Sequence, residues 1–158
     1  KVCYGRPALH GRTMIGGPRV PFGRLWRTGA NEPTTIISSI PLDIAGVVVP
    51  PGRSSLYTVP GPETWEIILN RSTSQWGHES QYTDRVKAQE IGRAIVRSES
   101  GGGAVERLTF AAGDSELIRL GHAHSHLALI MVQASWYSRM ASPTSRMNSL
   151  RSMIESAG

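Results

Sequence analysis

The 158-residue chain has a single cysteine, Cys3, and only two lysines, Lys1 and Lys87. One cysteine excludes an internal disulfide framework and any zinc finger built on paired cysteines. No apolar run reaches the 18 residues that a transmembrane helix needs. Aromatic residues make up 6% and charged residues 18%, the latter against a usual value of about 25%. Acid is missing altogether before Glu32. There is no internal repeat, no helix-turn-helix pattern and no RNA-binding signature. At 39% apolar residues the chain is not a disordered one, and its length suits one domain with a real core.

What the chain has instead is arginine, glycine and proline. Fifteen arginines set a net charge of +5, and 17 glycines with 10 prolines mark many turns. The charge is local. Residues 1–31 carry Lys1, Arg6, Arg12, Arg19, Arg24 and Arg27 with no acid, while the remaining residues hold 11 basic and 12 acidic side chains. These arginines lie among Gly and Pro, not along a helix face, which argues against a nucleic-acid partner. The first residue is Lys1, not methionine, so a processed chain is expected.

Residues 5–30 hold too much glycine and proline for a regular helix, and a long functional or packed loop is expected there. Strand-like runs come next at Thr34–Ile40, Val47–Val49, Ser54–Val59 and Trp65–Asn70, separated by Pro/Gly turns. In the last of these, Trp65, Ile67 and Leu69 share one face at period two. Ser72–Thr83 reads as a polar loop. Arg85–Ile91, Arg93–Val96, Val105–Ala111 and Leu117–Leu120 read as weaker strands, and Leu127–Ser135 as a central one. In Ser142–Gly158, Met147, Leu150, Met153 and Ile154 recur at helical spacing. The expected architecture is a single-domain antiparallel β-sandwich or jelly-roll-like barrel. It spans residues 1–141, carries a long N-terminal loop, and is followed at 142–158 by a short helix or tail.

Several blocks carry a resemblance. They are YGRPALHGR (Tyr4–Arg12), VPFGRLWRTGANEPTT (Val20–Thr35), VPPGRSSLYTVPG (Val49–Gly61), WEIILN (Trp65–Asn70) and QWG (Gln75–Gly77). In this order, across about residues 2–110, they resemble the bacterial family called domain of unknown function 2911. The resemblance implies a compact, mostly β domain, often exported, and hence a periplasmic or extracellular location. It implies no reaction. After about residue 112 the chain departs from the family pattern.

Three constellations could carry chemistry. The first is Arg6, Arg12 and Arg27 with Asn31 and Glu32. Guanidinium forks suit carboxylate, phosphate or sulfate, and glycine-rich backbone beside them can add N–H donors. The alternative is that they hydrogen-bond loop carbonyls and hold the loop in place. The second is Trp26, Tyr57, Trp65, Trp76 and His78. Exposed aromatic faces are platforms for sugars and flat ligands, whereas buried ones are core. The alternation around Trp65 points to core; Trp26 and Trp76 are the better ligand candidates. His78 with Glu79, or Glu32 with Tyr57, would make acid–base pairs if they meet in a cleft. The third is His122, His124 and His126. On one strand they share a face and suit zinc or copper; the alternative is a polar turn, since Ala123 and Ser125 are weak strand formers.

The leading expectation is therefore a binding site for a small anionic molecule or a glycan. It would be built from the Tyr4–Glu32 loop and the Trp76–His78 turn, with Arg6, Arg12 and Arg27 as counter-charge and Trp26 and Trp76 stacking. The alternatives are an enzyme, using the histidines with a metal or Glu32 with His78, and an envelope protein that self-associates by strand addition.

Overall fold

The computed structural model describes residues 1–99, 106–112, 117–122 and 126–134. Ten strands lie in these segments: β1 (Val2–Cys3), β2 (Thr34–Ser38), β3 (Leu42–Ile44), β4 (Val47–Val49), β5 (Gly52–Val59), β6 (Thr64–Asn70), β7 (Glu90–Glu99), β8 (Thr109–Ala112), β9 (Leu117–His122) and β10 (His126–Ala134). Every pairing is antiparallel, in the order β1-β2-β5-β6-β7-β10-β3-β4, with β9 joining β10 to β8. The mainly β, antiparallel fold is as expected from the alternation and the turns. The expected helix at Ser142–Gly158 lies outside the described residues.

The register explains the core. Leu56 faces Leu69, Ile67 faces Ala94 and Trp65 faces Val96 across neighbouring strands, so one face of the sheet is largely apolar, with Thr34, Ser54 and Thr58 buried on it. That face curls onto itself. β10 pairs with β7 at its start and with β3 at its end, which brings the β3–β4 hairpin over β6 and β7. Ile44 and Val49 of the hairpin are buried in the same cluster as Trp65, Ile67 and Leu69. The result is a two-layer, sandwich-like packing. The hairpin is hard to see in the sequence because each arm has three residues. Its turn is nonetheless well made: Ala45 and Gly46 have φ of 52° and 87°, as a two-residue hairpin turn needs, and the Gly46 N–H donates to Asp43 Oδ1 at 2.7 Å.

The long N-terminal segment is irregular, as expected, but it does not hang from the surface. Leu9, Met14, Val20 and Trp26 are buried in the core cluster. The segment is stitched down by isolated bridges, Ala8 to Arg107 and Trp26 to Thr58, and by the Leu108 N–H donating to Pro7 O at 3.1 Å.

Two strand expectations need correction. Arg85–Ile91 is not a strand: Asp84–Lys87 forms one helical turn, α1, with an acid at its start and basic residues at its end. The next element is one ten-residue strand, β7, that runs through Gly92. Gly92 reads as a break, yet its missing side chain is what admits Val47, whose Cγ1 lies 2.8 Å from where a Cβ would stand. Of the strand expected at Val105–Ala111, Val105 lies outside the described residues, and the strand in the described part starts at Thr109.

The sheet's other face is covered in part by residues 71–89. Asn70, fully buried, donates to Val86 O at 2.7 Å and accepts from the Ser72 N–H at 2.7 Å. Gln75 donates to the Tyr57 hydroxyl at 2.9 Å, and Tyr82 stands edge-on to Tyr57 with centroids 4.7 Å apart. Burial pushes both tyrosine hydroxyls above their ordinary pKa of 10.0.

Beside this cover, Arg93 grips Glu90 through two bonds of 2.8 and 2.7 Å and reaches Glu66 at 3.1 Å. The Arg93 bonds hold the Glu90 carboxyl below its ordinary pKa of 4.5, and the Tyr82 hydroxyl donates to it at 2.7 Å. A depressed folded pKa gives stability that is present above the ordinary value and is lost as pH falls through the folded one. Glu90→Gln should cost about 1 kcal/mol at neutral pH, the pair being partly exposed. It should also flatten the decline in urea midpoint between about pH 5 and pH 3. A variant whose midpoint falls as steeply as the parent's over that range would remove Glu90 from the acid response.

Candidate functional site

The residues WRTGANE, Trp26–Glu32, fold into a tightly held turn. Trp26 exchanges backbone bonds of 2.7 and 2.9 Å with Thr58, and its indole N–H donates to Gly29 O at 3.2 Å. Thr28, fully buried, has φ of 58°, a costly value for a β-branched residue. It is held there by a 3.1 Å bond to Thr58 Oγ1 and by Thr34 Oγ1, which donates to Thr28 O at 2.8 Å. Asn31 also has a positive φ, 68°. The strain is over-determined by the surrounding bonds, and its outcome is to present Asn31 and Glu32 to solvent.

Asn31 and Glu32 look onto a cleft of about 280 Å³. Its floor is the sheet edge where Cys3 faces Thr35 in register and Arg53 follows on β5; its walls are Tyr4–Gly5 and Ala30–Pro33. Cys3, Thr35 and Arg53 share the face of the sheet that points away from the core, by the period-two alternation. Glu32 and Arg53 are both exposed, and among the described residues neither side chain has a hydrogen-bond or ion-pair partner.

The arginines of the N-terminal segment are placed differently. Arg6 Nε donates to Leu108 O at 3.0 Å and Arg12 Nε to Leu9 O at 2.9 Å. Arg27 donates to Gly77 O at 3.2 Å and meets Glu79 at 3.4 Å. All three satisfy carbonyls of irregular backbone, the alternative raised from the sequence, and none lines the cleft. Trp26 is 4% and Tyr57 1% exposed, so both are core rather than stacking surfaces. Trp76 is exposed at 56%. His78 uses Nδ1 to accept from the Ser80 N–H, capping a short 3-10 turn. The Trp76–His78 turn packs on the Arg27–Glu32 turn without lining the cleft: Gly77 lies directly against the backbone of Asn31 and Glu32. Of the nine ligand candidates, Asn31 and Glu32 reach the cleft. Arg53, Thr35 and Tyr4 join them there without having stood out in the sequence. For Arg53 the sequence offers no local signal: Ser55 and Tyr57 on its own phase of β5 are buried, and Ser54, Leu56 and Thr58 on the other phase are mixed in polarity.

The histidines do not share one strand. His122 ends β9 and His126 begins β10, in register with each other, and His124 lies outside the described residues. The expectation for zinc or copper is framed on one strand, whereas the structure sets His122 and His126 opposite each other on two. Among the described residues no group of three or more His, Cys, Asp or Glu could hold a metal ion, and no helix is long and apolar enough to cross a membrane.

The family model described as "Protein of unknown function (DUF2911)" matches residues 1–123. The chain belongs to this family. The match contains the whole cleft and runs through β8 and β9, beyond the departure expected near residue 112. Of the three histidines only His122 falls within it. No curated protein and no solved structure matches.

Proposed function

We propose that this protein of the DUF2911 family is a binding module for a small polar ligand, anionic or carbohydrate-like, held in the cleft between the β1–β2–β5 edge and the Ala30–Pro33 turn. The observation that carries the reading is the lining of the cleft, which brings two opposite charges and an amide together. At the cleft, Arg53 and Glu32 stand unpaired beside the Asn31 amide. Among the described residues other exposed arginines, such as Arg19, Arg24 and Arg71, are also unpaired, but Arg53 shares a concave lining with an unpaired acid. Small-molecule sites are concave, with a few converging polar groups on a rigid frame, and this cleft has that form. Arg53 presents a fork that fits a carboxylate or phosphate. Asn31 donates and accepts, so it can orient hydroxyls, and Glu32 accepts from hydroxyl or ammonium groups. The anion-binding role moves from the loop arginines to Arg53. In the periplasm or outside the cell, where the family resemblance points, such a module would meet soluble nutrients and wall fragments.

Titration calorimetry with a hexuronic acid, a neutral hexose, small carboxylates and α-amino acids tests this. Saturable binding of at least one class is expected. Arg53→Ala should weaken binding of the anionic probes about tenfold, the loss of one charge-assisted bond at an exposed site. Its melting temperature should be unchanged. Absence of saturable binding across the panel would sink the proposal.

A further inference from the structure

The cleft carries one charge of each sign. Arg53 rises from the floor on β5, Glu32 from the wall after the strained Asn31, and the two do not meet in an ion pair. A purely anionic ligand that reached Arg53 would bring its charge toward the Glu32 carboxylate. A neutral sugar would cover both charges and give neither a counter-charge, which is a desolvation cost without return. A cation alone meets Arg53 in the same way. Only a molecule that carries both an anionic and a cationic group satisfies both sides.

Resting on the binding-module reading, we propose that the cleft takes a zwitterion, a free α-amino acid or an amino-carboxylate of similar size. Its carboxylate lies on Arg53 and its ammonium on Glu32. The ammonium has three N–H donors, so the Asn31 carbonyl oxygen and the Thr35 hydroxyl can serve the remaining ones. Tyr4 and Pro33 supply apolar surface for the ligand's carbon skeleton. A volume of about 280 Å³ matches a single amino acid in size. Because Glu32 sits on a turn locked by Thr28 and Thr34, its backbone is placed before the ligand arrives.

The test compares matched skeletons. Neutral L-amino acids are titrated by NMR beside their carboxylic-acid analogues without the amine and their amine analogues without the carboxylate, with a hexuronic acid as the anionic control. At least one amino acid should bind about tenfold or more tighter than both of its truncated analogues. Glu32→Gln should weaken the amino acid and strengthen the bare carboxylate; Arg53→Gln should weaken both. If the carboxylate or the hexuronic acid binds as well as any amino acid, the zwitterion inference falls and the binding module stands. If an amino acid binds but neither substitution changes its affinity, the site is misassigned and the inference falls with it. If no probe binds, both readings fall.

Discussion

A Gly5→Ala variant should lose about 3 kcal/mol or more of stability and with it the shape of the cleft. The Cβ that alanine adds would overlap the carbonyl oxygen of Ala30 and stand 2.7 and 2.8 Å from that residue's carbonyl carbon and nitrogen. These are backbone atoms, so no rotamer change relieves the overlap. The two chain segments that form the cleft walls, Tyr4–Gly5 and Ala30–Pro33, would have to separate. Ala30 cannot move alone: Trp26, Thr28 and Thr34 hold its turn through bonds to Thr58, Gly29 O and Thr28 O. The melting temperature should fall by about 6–12 °C, at roughly 2–4 °C per kcal/mol for a chain of this size. Ligand affinity should fall as well, since Gly5 and Ala30 both border the site. A Gly5→Ala protein that melts like the parent would mean that the walls are not in contact. Gly77 is under a similar constraint, with a Cβ overlapping Asn31 O and standing 2.6 Å from Arg27 Cδ.

These glycines show what can be read from the sequence and what cannot. The strands β2, β4, β5 and β6 are legible because β-branched runs and period-two alternation sit between Pro/Gly turns, a signal that is local. The fold class follows from them. The WRTGANE block is legible as important, since it carries the resemblance, but its role is not. Whether Arg6, Arg12 and Arg27 face a ligand or a carbonyl depends on which backbone runs beside them. That backbone, Leu108 for Arg6 and Gly77 for Arg27, is 102 and 50 residues away in sequence. Trp26 reads as a ligand platform because glycine lies near it, yet its bridge to Thr58 draws it into the core. Arg53 is inconspicuous in the sequence, one polar residue at the start of a strand. Its significance comes from the turn that packs across from it, which no local pattern encodes. The positions of long-range contacts, not residue types, decide which of the candidate residues line the cleft.

Trp65→Ala should be the most destabilising of the core truncations, by about 3–5 kcal/mol. Trp65 is fully buried, and its indole sits at the centre of the curled face, edge-on to Trp26 at 6.4 Å between ring centroids. Removal leaves a large void between β6, β7 and the N-terminal segment, where Trp26 anchors the turn that carries Asn31. The effect should therefore reach the site as well as the core. Trp65→Phe distinguishes volume from polarity. The Trp65 indole N–H is buried and has no hydrogen-bond partner. A donor left in that state costs free energy, so replacing it by a ring edge without N–H removes a penalty while most of the volume stays. Trp65→Phe should thus cost about 1 kcal/mol, well under the alanine variant. Urea titration of the two variants measures the difference directly through their midpoints at equal slope. Equal losses in both would mean that the indole ring's full width, not the bulk of an aromatic ring, holds the two layers together.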